Sequence, residues 1–190
     1  MLFPVVLAGV CAFLDVYATQ PLLPLLQQVF HATKVSVSLT ITASTMGVAL
    51  AAPFVGRLAD RRGRKRTIVT AALLLSAVTF LATLSFNLNE LILWRFLQGI
   101  FTPGIFAIAI AYIHEEWPAA KIGSAMAAYV SGTVIGGFSG RLVAGFTAQH
   151  INWRWSFIFL GFLNLISPRS PLPGHPPASA RSEPSQVLRD

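Results

Sequence analysis

Residues 56–67 read GRLADRRGRKRT, and the runs they join, 36–55 and 68–87, contain no charged side chain. Six of the chain's 14 Lys and Arg residues crowd into this stretch: Arg57, Arg61, Arg62, Arg64, Lys65 and Arg66. A basic segment between two uncharged runs of about 20 residues, each able to cross a ~30 Å hydrocarbon core, is the pattern of two membrane spans joined at a charged surface. Gly56 and Gly63 permit a tight turn, and Asp60 lies among cations that can pair with it. A basic loop alone accounts for the Arg and Lys, but not for their spacing.

Composition points the same way. The chain has 190 residues, of which 54% are hydrophobic and only 11% charged, against about 25% charged in soluble domains. The net charge of +7 suits a nucleic-acid binder in magnitude but not in distribution, because the cations are gathered at a membrane surface. The expected partner is therefore the lipid bilayer and not a nucleic acid. Cys11 is the single cysteine, and His31, His114, His150 and His175 share no ligand spacing. No HExxH, GxSxG or P-loop pattern occurs, so neither an enzyme nor a metal site is expected.

Outward from the basic stretch, the hydrophobic runs predict an all-α membrane bundle over 1–166, with spans near 2–26, 36–55, 67–86, 91–113, 122–148 and 154–166. The first lacks the basic leader and A-x-A site of a secretory signal, so it reads as a span. The sixth run is too short to cross a bilayer and reads as an incomplete helix. Beyond it, residues 167–190 are rich in Pro, Ser and Arg and are expected to be disordered. The positive-inside rule puts the basic loop and the N-terminus in the cytoplasm of a multi-pass inner (plasma) membrane protein.

On these residues the chain resembles the major facilitator superfamily of secondary transporters. The family's signature between its second and third spans, GxLaDrxGRkxxl, is met at Gly56, Leu58, Asp60, Arg61, Gly63, Arg64 and Lys65. The resemblance implies the N-terminal six-helix half of a twelve-helix transporter. It also implies that this loop, through Gly56, Asp60, Arg61, Gly63, Arg64 and Lys65, latches the two halves, with Asp60 and Arg64 in charge-paired contacts. RFLQGIFTPG at 95–104 resembles the RxxxG motif associated with proton coupling, with Arg95 and Gln98 followed by Gly99. SGTVIGGFSGRLVAG resembles the glycine-rich fifth-span motif of the antiporter branch, with Gly136-Gly137 where Gly-Pro is usual. ATQPLLPLL and WRWSF resemble proton-driven efflux members.

The residues themselves leave alternatives open. Arg95 is either buried or a snorkelling interface cation. Gly132, Gly136 and Gly140 form a small-xxx-small face that can pack another helix of this chain or a second copy. Asp15 and Arg141 are ions inside spans. Asp15 is expected to face a central cavity and titrate during transport, with Arg141 or Arg95 as counter-charge; a permanent structural pair is the other reading. Pro21, Pro24 and Pro53 fit helix ends as well as kinks.

The resemblance further implies efflux of a small-molecule substrate in exchange for H+, by alternating access, with no cofactor beyond the proton gradient. Since the second half is missing, a second polypeptide or self-association is expected, and the chain alone is not expected to transport. The change of composition after residue 166 fits either a truncation or a shift of reading frame. The other reading is a non-transporting membrane fragment.

Overall fold

A chain in hydrocarbon can satisfy its backbone N–H and C=O groups only internally, and long apolar runs therefore become helices. The computed structural model describes residues 3–166, and the tail at 167–190 lies outside the described residues. Every regular element described is helical: α1 Phe3–Ala18, a 3-10 turn Gln20–Leu22, α2 Leu23–Val29, α3 Lys34–Arg62, α4 Arg64–Ala82, α5 Leu88–Phe101, α6 Pro103–Glu116, α7 Ala119–His150 and α8 Trp153–Ile166. These make six traverses, the first formed by α1, the turn and α2, and the fourth by α5 and α6.

Among the described residues, three stretches are both long and apolar enough to cross a membrane unaided: Gly9–Val29, Lys34–Arg62 and Leu88–Glu115. The others depend on their neighbours. α4, with 19 residues, spans about 28 Å at 1.5 Å per residue. α7 has ample length with 32 residues, but glycines and Arg141 dilute its hydropathy. α8 as described has 14 residues, about 21 Å.

The expected loop at 56–67 contracts to one residue. α3 continues to Arg62 and α4 begins at Arg64, leaving Gly63 with φ +86° as the whole turn. That left-handed backbone suits glycine. Gly56, by contrast, is an ordinary position inside α3 with open space around its Cα. Arg61 and Arg62 in the last turn of α3 complement the helix dipole and favour carrying the helix this far.

The prolines divide similarly. Pro21 and Pro24 open short helices, whereas Pro53 lies inside an unbroken α3, not at its end. Pro103 opens α6 and interrupts the fourth traverse, where Thr102 Oγ1 donates to the Gln98 carbonyl at 2.7 Å.

Two close helix crossings organise the bundle. α7 lies on α1 with Gly132, Gly136 and Gly140 against the backbone at Val6, Val10 and Leu14. α3 lies on α5 with Gly47 against Phe96 and Gly99 against Ser44. Small residues let backbones approach and gain dispersion contact where lipid supplies no hydrophobic drive. The glycine face of α7 is thus occupied within this chain. Leu22, Leu26, Leu91, Phe157 and Leu160, all fully buried, belong to the core, while Phe54, Phe138 and Phe146 point outward.

Candidate functional site

The two crossings bring one group of intramembrane polar side chains together. Gly140 abuts Leu14, the neighbour of Asp15; Gly99 follows Gln98 and lies four residues after Arg95. Asp15, Arg95, Gln98, Thr79 and Asn164 are all buried, each no more than 1% exposed.

Their hydrogen bonds run across four helices. Asn164 of α8 donates through Nδ2 to Asp15 Oδ2. Arg95 Nη1 donates to the Asp15 backbone carbonyl at 3.3 Å and to Gln98 Oε1 at 2.7 Å. Gln98 Nε2 donates to Thr79 Oγ1 at 2.8 Å, and that hydroxyl donates to the Leu75 carbonyl at 2.7 Å. Ser76 Oγ donates to the Gly161 carbonyl at 2.8 Å, fastening α4 to α8 beside the cluster.

Charge in the cluster is only partly compensated. Among the described residues the ion pairs are those of Arg64, so the Asp15 carboxylate and Arg95 guanidinium do not meet directly. Asp15 Oδ1 and Asn164 Oδ1 have no donor, and Arg95 Nε and Nη2 have no acceptor. Buried charge is costly unless paired. Here complementary donors and acceptors share one buried cluster without closing their pairs, an arrangement that a small side-chain movement or a change of protonation can alter.

Three readings of this site are decided by these contacts. Arg95 does not snorkel; it is drawn inward by Gln98 and the Asp15 carbonyl. Asp15 faces the interior of this bundle, not an open cavity. Arg141 is not its counter-charge either: it is exposed, donates through Nε to Gln20 Oε1 at 2.9 Å, and lies 4.3 Å over the Tyr17 ring. Tyr17 is two residues after Asp15, roughly 200° around the helix, so the two ions occupy opposite faces of α1.

The Gly63 end carries a second polar group. Arg64 forms an ion pair with Glu115 at the end of α6 and a loose 4.0 Å contact with Asp60. Arg64 thus links the α3–α4 turn to a neighbouring helix, while Asp60, 70% exposed, does not. Gly56 and Gly63 carry no side chain, Arg61 makes no ion pair among the described residues, and the Lys65 side chain lies outside them.

Asn164, Thr79 and Glu115 complete these groups, and nothing in the sequence marks them; Gln98 joins them from the RxxxG segment. Gln98 offered one signal, a second polar residue one turn from Arg95 on the same helix.

Membrane-length helices crossing on glycines around buried, incompletely paired charge define a multi-pass helical membrane protein. The chain belongs to the Major Facilitator Superfamily, whose family model matches residues 5–188, past the point near 166 where the resemblance was expected to stop. It is 36% identical over 160 residues to the inner membrane transport protein YnfM of Escherichia coli, covering 84% of this chain and 38% of that protein. It is 34% identical over 125 residues to the multi-drug resistance efflux pump PmrA of Streptococcus pneumoniae, covering 65% and 31%. The fold is similar, with TM-score 0.75 and 19% identity, to a bacterial homolog of the human lysosomal transporter Spinster solved inward-facing and unoccupied; 88% of this chain matches 40% of that one. The chain thus spans about two fifths of the length of such relatives.

Proposed function

We propose that this chain supplies the N-terminal six-span half of a proton-coupled exporter of small molecules that works by alternating access, with the basic Gly63 end and the N-terminus in the cytoplasm. The observation that carries the reading is the buried Asp15–Arg95 cluster, in which a carboxyl and a guanidinium stand close without closing an ion pair. Intramembrane ions of this kind mark proton and substrate pathways. The efflux direction draws on the likeness to PmrA and on the ATQPLLPLL and WRWSF segments.

In this reading protonated Asp15 is neutral and needs little from Arg95, whereas ionised Asp15 draws on it. The change shifts α1, α5 and α8 relative to one another, because the cluster joins them. Arg95 and Asn164 position the carboxyl, and Arg64–Glu115 steadies the opposite end of α6. Substrate would lie between two six-span halves, so transport requires a second half.

The test reconstitutes the chain, as it assembles in its native membrane, into proteoliposomes and follows uptake of a fluorescent lipophilic cation against an imposed pH gradient. Gradient-driven flux lost in Asp15→Asn and kept in Arg141→Lys supports the reading. Flux indifferent to the gradient or to Asp15→Asn overturns the coupling. Transport by a purified monomer overturns the need for a second half.

A further inference from the structure

A groove of about 1120 Å³ opens between α3, α4 and the α5–α6 junction, and none of the buried Asp15–Arg95 cluster lines it. Its body is apolar, walled by Leu50, Phe54, Leu74 and Ile100; its mouth is ringed by Arg57, Arg61, Arg62 and Arg66, with no acidic side chain in the lining. The arginines are exposed, as are Leu50, Phe54 and Leu74. Leu50 and Arg61 stand on the same helix, so the groove rises about 16 Å from one to the other at 1.5 Å per residue. That height matches one leaflet, half of the ~30 Å hydrocarbon core.

This two-part wall selects its occupant. A free anion would use the arginines and leave the apolar wall bare. An uncharged hydrophobe would do the reverse. A partner helix would need carboxylates to answer four cations of one sign. We propose that the groove binds an anionic glycerophospholipid, its phosphodiester held by Arg61, Arg62 and Arg66 and an acyl chain lying along Leu50, Leu74 and Ile100. Basic pockets between membrane helices at the headgroup level recognise anionic lipid in this way. A lipid seated there bridges α3, α4 and α5 beside the Gly63 turn, so it stiffens the joint through which Arg64 reaches Glu115.

Native mass spectrometry tests this with the full chain in mild detergent, offered equal amounts of phosphatidylglycerol and phosphatidylcholine with matched acyl chains. Phosphatidylglycerol should be retained about tenfold over phosphatidylcholine. Arg62→Ala with Arg66→Ala should abolish the preference, and Leu74→Trp, which fills the groove and leaves every arginine, should reduce retention of both lipids. All three substitutions replace exposed side chains, and circular dichroism confirms that each variant keeps its helix content. Equal retention of the two lipids overturns the proposal, as does a preference that survives the double variant. Unchanged retention in Leu74→Trp overturns it in favour of a merely charged surface, and equal thermal protection by inorganic phosphate in favour of a free-anion site. A membrane polypeptide that excludes lipid from the wild-type groove, and is released by Leu74→Trp, overturns it in favour of protein docking.

Discussion

Asn164 near the end of α8 donates to the carboxylate of Asp15 in α1, 149 residues earlier in the chain. Both side chains are buried, so the bond joins the first and last described helices where water does not compete. A hydrogen bond to a charged group contributes about 1.5–3 kcal/mol, and its loss leaves a second carboxylate oxygen unpartnered beside Oδ1. Asn164→Leu should therefore lower stability by about 2–3 kcal/mol, read from unfolding of the purified chain in mixed micelles. In a double-mutant cycle with Asp15→Leu the two effects should fall short of additivity by more than about 0.5 kcal/mol. Strict additivity would show that the bond contributes nothing.

The glycines offer a sharper contrast. A Cβ added at Gly136 collides with the α1 backbone at Val10, whereas one added at Gly56 meets nothing within 4 Å. Gly136→Ala should cost about 1–3 kcal/mol by forcing α1 from α7. Gly56→Ala should instead stabilise α3 by about 0.5–1 kcal/mol, since alanine loses less backbone freedom in a helix. Thermal melts of the two variants should move in opposite directions; a shared direction would contradict the packing described.

These two positions also show how far the sequence could be read. The 132, 136, 140 spacing discloses a helix face because helical periodicity is intrinsic, but its partner is invisible, since Val6, Val10 and Leu14 contribute backbone and any residue has a carbonyl. Asp15, Arg95 and Arg141 all stood out as charges in apolar text. What separates them is rotation about α1, which places Asp15 inward and Tyr17, the platform for Arg141, on the other face. Asn164 escaped notice because one neutral amide in FLNLI neither interrupts hydropathy nor demands a partner. Gly56 and Gly63 read alike as turn residues, and only the continuation of α3 to Arg62 tells them apart.

At the Gly63 end the Arg64–Glu115 pair is half open to its surroundings, with side chains 22% and 58% exposed. Such pairs contribute about 0.2–1 kcal/mol and are screened by salt. Glu115→Gln and Arg64→Gln should each destabilise by no more than about 1 kcal/mol, and their coupling energy should fall between low and high salt. The charge swap Arg64→Glu with Glu115→Arg should recover most of it. A coupling above about 2 kcal/mol that persists in high salt would place this pair in a far drier setting than the structure gives it.

The Asp15–Arg95 relationship carries the strongest prediction because both charges are buried. Removing one member of a directly paired buried ion pair costs about 3–5 kcal/mol, an upper bound for these two charges that do not touch, whereas removing both with apolar or neutral groups of similar size is often close to neutral. Arg95→Met should thus be severely destabilising while Asp15 remains ionised, and it also takes the donor from Gln98 Oε1 and from the Asp15 carbonyl. Adding Asp15→Asn should restore much of the loss, because an amide at position 15 carries no charge and can still accept from Asn164. Arg95→Lys should fall between, keeping the charge while an ammonium reaches Gln98 less well than the planar guanidinium. Unfolding of the three variants in the same micelles ranks them. If the double variant is no more stable than Arg95→Met alone, the charges are not coupled, and Arg95 holds the bundle only through Gln98 and the α1 backbone.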